Sequence, residues 1–162
     1  MTKIILTGIT AILIASCGSN SSDEQSKTPS SIAAKEGDKT GSDSTAAYDP
    51  KRGEGKFTKV DISPALNATM AEAGNKVYTV KCSACHKLTD EKLVGPGWKG
   101  VTGKHEPEWI MNFATNPDVM IDKDPKAQAM LEICLVRMPN QNLSDDDARS
   151  VYEFMRKNDG VK

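Results

Sequence analysis

The chain has 162 residues, and a hydrophobic content of 38% with an aromatic content of 5% leaves material for one small core. Its 21 basic and 22 acidic residues give a formal net charge of -1, so there is no overall basic field for nucleic acid, and we expect no nucleic-acid partner. Four cysteines in an exported domain would normally form two disulfides, but Cys82 and Cys85 are only three positions apart and Cys17 lies in an N-terminal apolar segment.

The N-terminal segment is typical of an export signal. Lys3 precedes an apolar run over 4–14, which is shorter than the roughly 20 apolar residues that span a bilayer. The run ends in Ala15-Ser16-Cys17, which resembles the bacterial lipoprotein signal, where the chain is cut before a cysteine that is then acylated. We therefore predict a signal peptide over 1–16 and a lipid on Cys17, which would hold an exported protein on the periplasmic side of a bacterial membrane. The alternative is a plain signal peptide with an incidental cysteine.

Residues 17–63 are predicted to form a flexible linker. Their composition is rich in Ser, Thr, Gly, Asp, Glu and Lys and contains almost no large apolar side chains, so they cannot bury a core. A random coil of this length would reach about 35 to 40 Å. The linker would let a folded domain over 64–162 sample partners near the membrane.

The first two predicted helices precede and follow the central cysteines. Apolar spacing over Ala73, Val77, Val80 and Ala84 predicts a helix that ends at the cysteines. A second helix is predicted from Pro107 to Asn116, with Pro117 as its stop.

The last two predicted helices have clear start signals. Asp124 and Pro125 suit the cap and first position of a third helix, whose inner face would be Ala127, Met130, Leu131, Cys134 and Leu135. Ser144 and Asp147 predict a capping box for the fourth helix, whose inner face would be Ala148, Val151, Tyr152 and Met155. The prediction is an all-α domain too small to be stable on apolar burial alone, so another group must complete its interior.

The chemical signal is Cys82-Ser83-Ala84-Cys85-His86. Two thiols one helical turn apart can add to the two vinyl groups on one porphyrin edge, and the adjacent imidazole of His86 can then bind the iron. A thioredoxin-like dithiol would need a strand before the motif, where a helix is predicted instead. A zinc site would need two more ligands, for which only His105 and Cys134 are available.

The surrounding sequence resembles the class I cytochromes c. The resemblance covers Gly74-Asn75-Lys76-Val77-Tyr78, the motif, Gly95-Pro96, and Met138-Pro139 before the last helix, and it runs from about Asn67 to the C-terminus. It implies one covalent haem c, a Pro96 carbonyl that orients the second ring nitrogen of His86, and close packing of the first and last helices at Gly74, with Tyr78 meeting Tyr152.

The second axial ligand decides between electron transfer and reaction with small molecules. Met138 precedes Pro139 in a predicted extended segment, where the family places its ligand, so we expect His86/Met138 ligation and a positive reduction potential. Met120, on a predicted loop, and His105, an expected surface residue, remain alternatives. Without a firm second ligand, the protein would be a five-coordinate haem protein that senses or reacts with a small molecule.

Each of three other side chains has two possible roles. Cys134 is expected to pack in the core rather than act as a redox thiol, because it falls on an apolar helix face. Trp98 and Trp109 are candidates to contact the haem or its propionates, although core packing would explain both.

The charge distribution suggests a docking surface on the haem-attachment half. Residues 76–104 carry six lysines and two acids, whereas residues 105–162 carry seven basic and eleven acidic residues. We predict that Lys81, Lys87, Lys92 and Lys99 steer an acidic redox partner, with unpartnered surface lysines as the alternative. The resemblance implies a non-enzymatic electron carrier whose partners are a respiratory oxidase, a quinol-oxidising complex or a periplasmic reductase.

Overall fold

The computed structural model describes residues 48–162, and this part of the chain is all-α, as predicted. The predicted signal peptide, Cys17 and the linker through residue 47 lie outside the described residues. Within 48–162 there is no strand, and no helix is both long and apolar enough to cross a membrane. The helices are α1 (Ala68–Val77), continued by a π-helical turn (Tyr78–Cys82), α2 (Val101–Lys104), α3 (Pro107–Thr115), α4 (Pro117–Lys123), α5 (Pro125–Cys134) and α6 (Asp145–Asn158).

The packing of α1 against α6 is the main contact of the fold. Gly74 lies so close to α6 that a Cβ atom there would overlap the carbonyl oxygen of Ser150, which confirms the expected close crossing. Tyr78 meets Phe154 rather than Tyr152, with ring centres 5.3 Å apart. Tyr152 instead lies under the guanidinium of Arg149, so the expected tyrosine pair is wrong by two positions.

The predicted inner face of the first helix is wrong except at Val77, which packs against the core. Ala73, Val80 and Ala84 are exposed, and the buried positions are Ala71, Gly74 and Cys82. Ala71, Gly74 and Cys82 lie at i, i+3 and i+11, so they share one helical face, which is opposite to the predicted one. This face continues through the π-helical turn to Cys82, which is buried.

The other predicted helices are correct at their starts and differ at their ends. The Asp124 side chain caps α5 by accepting from the amide of Ala127, and Ser144 and Asp147 form the predicted capping box of α6. All four predicted inner residues of α6 are buried. Leu135, predicted to face inward, is 82% exposed because α5 ends at Cys134 and Leu135 adopts a left-handed conformation with a φ of 61°.

Two short helices, α2 and α4, were not predicted. Pro117 ends α3 but also occupies the first position of α4, where its missing amide hydrogen costs no hydrogen bond. Met120 therefore lies in a helix rather than on the predicted loop, and it is fully buried.

Residues 48–66, which we call the strap, pack along the helices without forming a helix or strand. Side chains hold its backbone: Asn112 accepts from the amide of Phe57 and donates to the carbonyl oxygens of Arg52 and Phe57. Farther along, Arg156 donates to the carbonyl oxygens of Ser63 and Pro64. Residues 48–63 were assigned to the linker from their composition, and the structure differs there because polar side chains on the helices fix this stretch.

Candidate functional site

A largely apolar cavity of about 280 Å³ lies between the motif and the helices α3, α5 and α6. Cys82, Cys85 and His86 line it, together with Met138 and Trp98. The volume is near the lower end of the roughly 300 to 1,000 Å³ typical of small-molecule sites. The residues singled out in the motif are therefore brought together on the wall of one cavity.

His86 is held in one orientation by the loop that follows it. Its Nδ1 lies 2.9 Å from the carbonyl oxygen of Pro96, the hydrogen bond that the resemblance implied. A carbonyl oxygen can only accept, so Nδ1 carries the proton and the lone pair of Nε2 is free for a metal. Gly95 makes room for the ring, since a Cβ atom there would overlap it. Burial lowers the pKa of His86, opposed by the Pro96 hydrogen bond, and this favours the neutral imidazole that binds metals.

The two motif cysteines are positioned by the turn that follows α1. The amides of Cys85 and His86 both donate to the carbonyl oxygen of Cys82, at 3.0 and 2.9 Å, so the motif folds as a helical turn. Burial raises the pKa of the Cys82 thiol to about 11, against the opposing effect of Lys81. A thioredoxin-like dithiol would have a strand before the motif and a thiol with a lowered pKa, whereas here a helix precedes the motif and the pKa of Cys82 is raised.

The structure separates the two methionines considered as second ligands. Met138 lines the cavity. Met120 does not line it; its sulfur lies under the strap, 3.1 Å from the amide nitrogen of Glu54, and its methyl group packs on Gly53. Met130 and Met155 also line the cavity.

His105 is not the surface residue that we expected. It lines the cavity, and its ring stacks on Trp109 with centres 4.1 Å apart and planes 15° apart. Its Nδ1 is buried and has no hydrogen-bond partner among the described residues. The neighbouring Lys104 and Glu106 suggested exposure, and no sequence signal showed that α2 would turn the ring inward.

Both tryptophans line the cavity. Trp98 is buried, with its ring centre 5.5 Å from that of His86. Trp109 donates its indole N–H to Asp124 Oδ2 at 2.9 Å, so this group is already bonded within the protein. Cys134 is half-buried on the cavity wall, but it is not among the residues that pack in or against the core cluster, so the core packing expected for it is not found.

This donor set fits a covalently attached haem. The thiols and the neutral imidazole come from one turn, and most of the remaining wall is apolar, as a porphyrin face requires. No group of three or more metal-binding His, Cys, Asp or Glu side chains occurs in residues 48–162, so the zinc alternative has no ligand set there.

Comparisons with known proteins agree with this geometry. The sequence model of the family described as Cytochrome c matches residues 71–159. A solved structure of a cytochrome c from Rhodothermus marinus is similar at 30% identity, covering 65% of this chain and 90% of that one with a TM-score of 0.63. An engineered cytochrome c from the same organism, Rma TDE, has the same identity and coverage with a TM-score of 0.62. No curated protein sequence matches the chain.

Proposed function

This chain belongs to the cytochrome c family, and from that premise we propose that it is a monohaem electron carrier with His86 and Met138 as axial ligands, tethered to a membrane through Cys17. The family binds haem c covalently and transfers electrons through it. The observation that carries the residue assignment is the wall of the large cavity, where Cys82, Cys85, an oriented His86 and Met138 occur together.

When bound, the haem supplies a single iron that cycles between the ferrous and ferric states. The residues of the chain attach the haem and orient the ligand. The thiols of Cys82 and Cys85 would form the thioethers, and the Pro96 carbonyl holds the His86 ring so that Nε2 remains the ligand atom. The apolar wall limits water around the iron, which favours the ferrous form and a more positive potential.

Of the two methionines considered as second ligands, Met138 is preferred because it lines the cavity and Met120 does not. Met120 would have to leave a fully buried position and its contact with the Glu54 amide to reach the iron. Thioether ligation raises the potential relative to bis-histidine ligation, so the proposal predicts a positive potential suited to a strong oxidant as acceptor.

Covalent attachment can be tested with the full chain produced in a host that has haem-ligation machinery. Haem staining after denaturing electrophoresis should be strong for the wild type and absent for the Cys82→Ser, Cys85→Ser double variant. Cys134→Ser is the matched control and should stain like the wild type. A double variant that keeps covalent haem would disprove the attachment site.

The second ligand can be tested by spectroscopy of the purified ferric protein. Met138→Ala should lose the long-wavelength band that thioether ligation produces and become partly high-spin, with a lower potential. Met120→Leu, a volume-conserving control, should keep the wild-type spectrum. A wild-type ferric iron that is already high-spin would instead favour the five-coordinate alternative, in which the haem senses or reacts with a small molecule.

The membrane tether is proposed from the sequence around Cys17, and it implies the periplasmic side of a bacterial membrane. Wild-type protein should partition with membranes and carry an acylated N-terminal peptide by mass spectrometry. Cys17→Ser should be released or left unprocessed, while Cys134→Ser should behave like the wild type. Unmodified Cys17 in membrane-free wild-type protein would contradict this part of the proposal.

An acidic redox partner is proposed for the lysines beside the motif, and a respiratory oxidase, a quinol-oxidising complex or a periplasmic reductase would fit this role. The Lys87 side chain already pairs with Glu91 at 2.7 Å, while Lys81 and Lys92 donate to the carbonyl oxygens of Gln141 and Ile133. Lys99 is exposed. Electron-transfer rates with such a partner should fall with rising salt, and a salt-independent rate would remove this proposal.

A further inference from the structure

A second, polar cavity of about 140 Å³ adjoins the large cavity. We call it the cationic cavity, and it is lined by Lys51, Thr102, Gly103, Lys104, His105, Glu106 and Lys126. Lys104 and His105 line both cavities, so the two are neighbours across these side chains. No residue of the cysteine motif lines the cationic cavity.

The cationic cavity carries an excess of positive charge. Three lysines line it against one acid, Glu106, and none of the three forms a salt bridge within residues 48–162. Lys126 Nζ donates to the carbonyl oxygen of Pro50 at 2.8 Å, which holds the strap beside the cavity. An excess of cations that form no salt bridge around a recess favours an anionic ligand.

His105 adds a buried hydrogen-bonding atom without a partner to this charge. Its Nδ1 is the one buried side-chain nitrogen or oxygen in residues 48–162 that has no hydrogen-bond partner, although stacking on Trp109 fixes its ring. A buried polar atom without a partner is costly, so a ligand oxygen at this position would satisfy it.

The haem, if bound as proposed above, brings such oxygens. Its vinyl groups and its two propionate groups lie on opposite edges of the porphyrin, and thioethers at Cys82 and Cys85 place the vinyl edge at the motif. The propionate edge must then lie away from the motif, where ionised carboxylates need cations and hydrogen-bond donors.

We propose that the cationic cavity receives the haem propionates, with Lys104, His105 and Lys126 facing them and Lys51 closing the site from the strap. The inference rests on the proposed function, since it requires a haem attached at the motif. Lys51 lies outside residues 71–159, the part that matches the family model, so its role is a contribution of this chain's own N-terminal strap.

The lysines can be tested by redox titration of the full holoprotein. Lys51→Met, Lys104→Met and Lys126→Met each remove a positive charge near the haem, which should lower the ferrous-to-ferric ratio at a fixed potential roughly two- to tenfold. Lys59→Met is the matched control, because this strap lysine has a side chain that is 82% exposed and lines neither cavity. High salt should reduce the differences.

His105 can be tested through the pH dependence of the potential. The charged groups around it are Lys51, Lys104, Glu106, Asp124 and Lys126, whose ordinary pKa values lie outside pH 5 to 8. Burial and the nearby Lys126 lower the pKa of His105 below its ordinary value, so loss of the imidazole proton should lower the potential mainly as pH rises through the acidic part of this range. His105→Gln keeps a hydrogen-bond donor but does not titrate. Its reduction potential should therefore change less with pH, while the haem absorption spectrum stays the same.

The outcomes distinguish this inference from the proposed function. Wild-type protein without covalent haem would overturn both. This inference alone would be overturned if the haem is covalent but the three lysine variants have the same ferrous-to-ferric ratio as Lys59→Met. The same holds if the potential of His105→Gln depends on pH as it does in the wild type. Lower ratios for all three lysine variants and a reduced slope for His105→Gln would support it.

Discussion

Glu153 is the buried residue on which several polar contacts depend. It has no exposed surface, and its carboxylate accepts from Arg149 at 2.6 Å, Arg156 at 2.7 Å and the amide of Asn67 at 2.8 Å. Burial by itself raises the pKa of Glu153, but these three hydrogen bonds more than offset it, so the net pKa lies below the ordinary value. The charged form is therefore the one that the folded state stabilises.

Glu153→Gln should reduce the free energy of unfolding by about 2 to 4 kcal/mol at pH 7, because it leaves the nearly buried Arg156 without its charged partner. Denaturant unfolding measures this at equal haem content. Glu132→Gln, an exposed change on α5, should have little effect. Equal stability of the two variants would contradict the role given to Glu153.

The same residue predicts a pH dependence. Because the folded-state pKa of Glu153 is below its unfolded value, the unfolded chain binds more protons between the two values. The contribution of the carboxylate is complete above the unfolded pKa of about 4.3 and is lost as pH falls through the lower folded value. The stability difference between wild type and Glu153→Gln should therefore shrink below about pH 4, and a constant difference would argue against it.

At the scale of helices, the contact of α1 with α6 depends on a missing side chain. Gly74→Ala would place a methyl group against the Ser150 carbonyl oxygen and the Cβ of Phe154, so we expect a loss of about 1 to 3 kcal/mol despite the better helix propensity of alanine. Gly103→Ala in α2 is the matched control, since its Cβ would meet no atom within 4 Å, and it should be neutral or stabilising by up to about 1 kcal/mol. Urea unfolding of both variants checks the difference, and equal effects would show that the crossing is not tight.

The helices show which parts of the fold a sequence can reveal. Asp124, Ser144 and Asp147 were identifiable because capping is local chemistry between residues three positions apart. The inner face of α1 was not, because its buried positions Ala71 and Gly74 are small residues that add little to an apolar pattern, whereas the exposed Val80 favours the opposite face. The helix α4 was not predicted because Pro117 indicates the end of α3, while proline is also common in the first position of a helix.

In the candidate site, too, some positions could be predicted from the sequence and others could not. His86 and the Pro96 carbonyl follow from a contiguous motif and a family resemblance, so both could be named from sequence. The inward position of His105 depends on tertiary packing against Trp109, and charged neighbours in sequence pointed the other way. The burial of Met120 depends on the strap, whose fold comes from distant side chains rather than from its own pattern.

On the scale of the whole domain, the strap is fastened by Asn112, which is fully buried and makes three hydrogen bonds to strap backbone. Asn112→Ala would leave those groups unpaired, so we expect a loss of about 2 to 4 kcal/mol and faster protease cleavage between residues 50 and 60. Asn75→Ala, an exposed change on α1, should alter neither. Limited proteolysis with mapping of the cut sites provides the measurement, and unchanged cleavage in Asn112→Ala would show that other contacts hold the strap.

The beginning of the strap has a mechanical consequence. The Tyr48 hydroxyl donates to the carboxylate of Asp124, at the junction of α4 and α5. The same carboxylate accepts from the indole N–H of Trp109 in α3 and from the amide of Ala127. The first described residue is therefore attached to three helices through one side chain. A force pulling on the preceding segment would act first on the Tyr48–Asp124 hydrogen bond, and only then on the hydrogen bonds of Asn112 farther along the strap. The strap would therefore have to detach from the helices before such a force could reach the turn that carries Cys85 and His86.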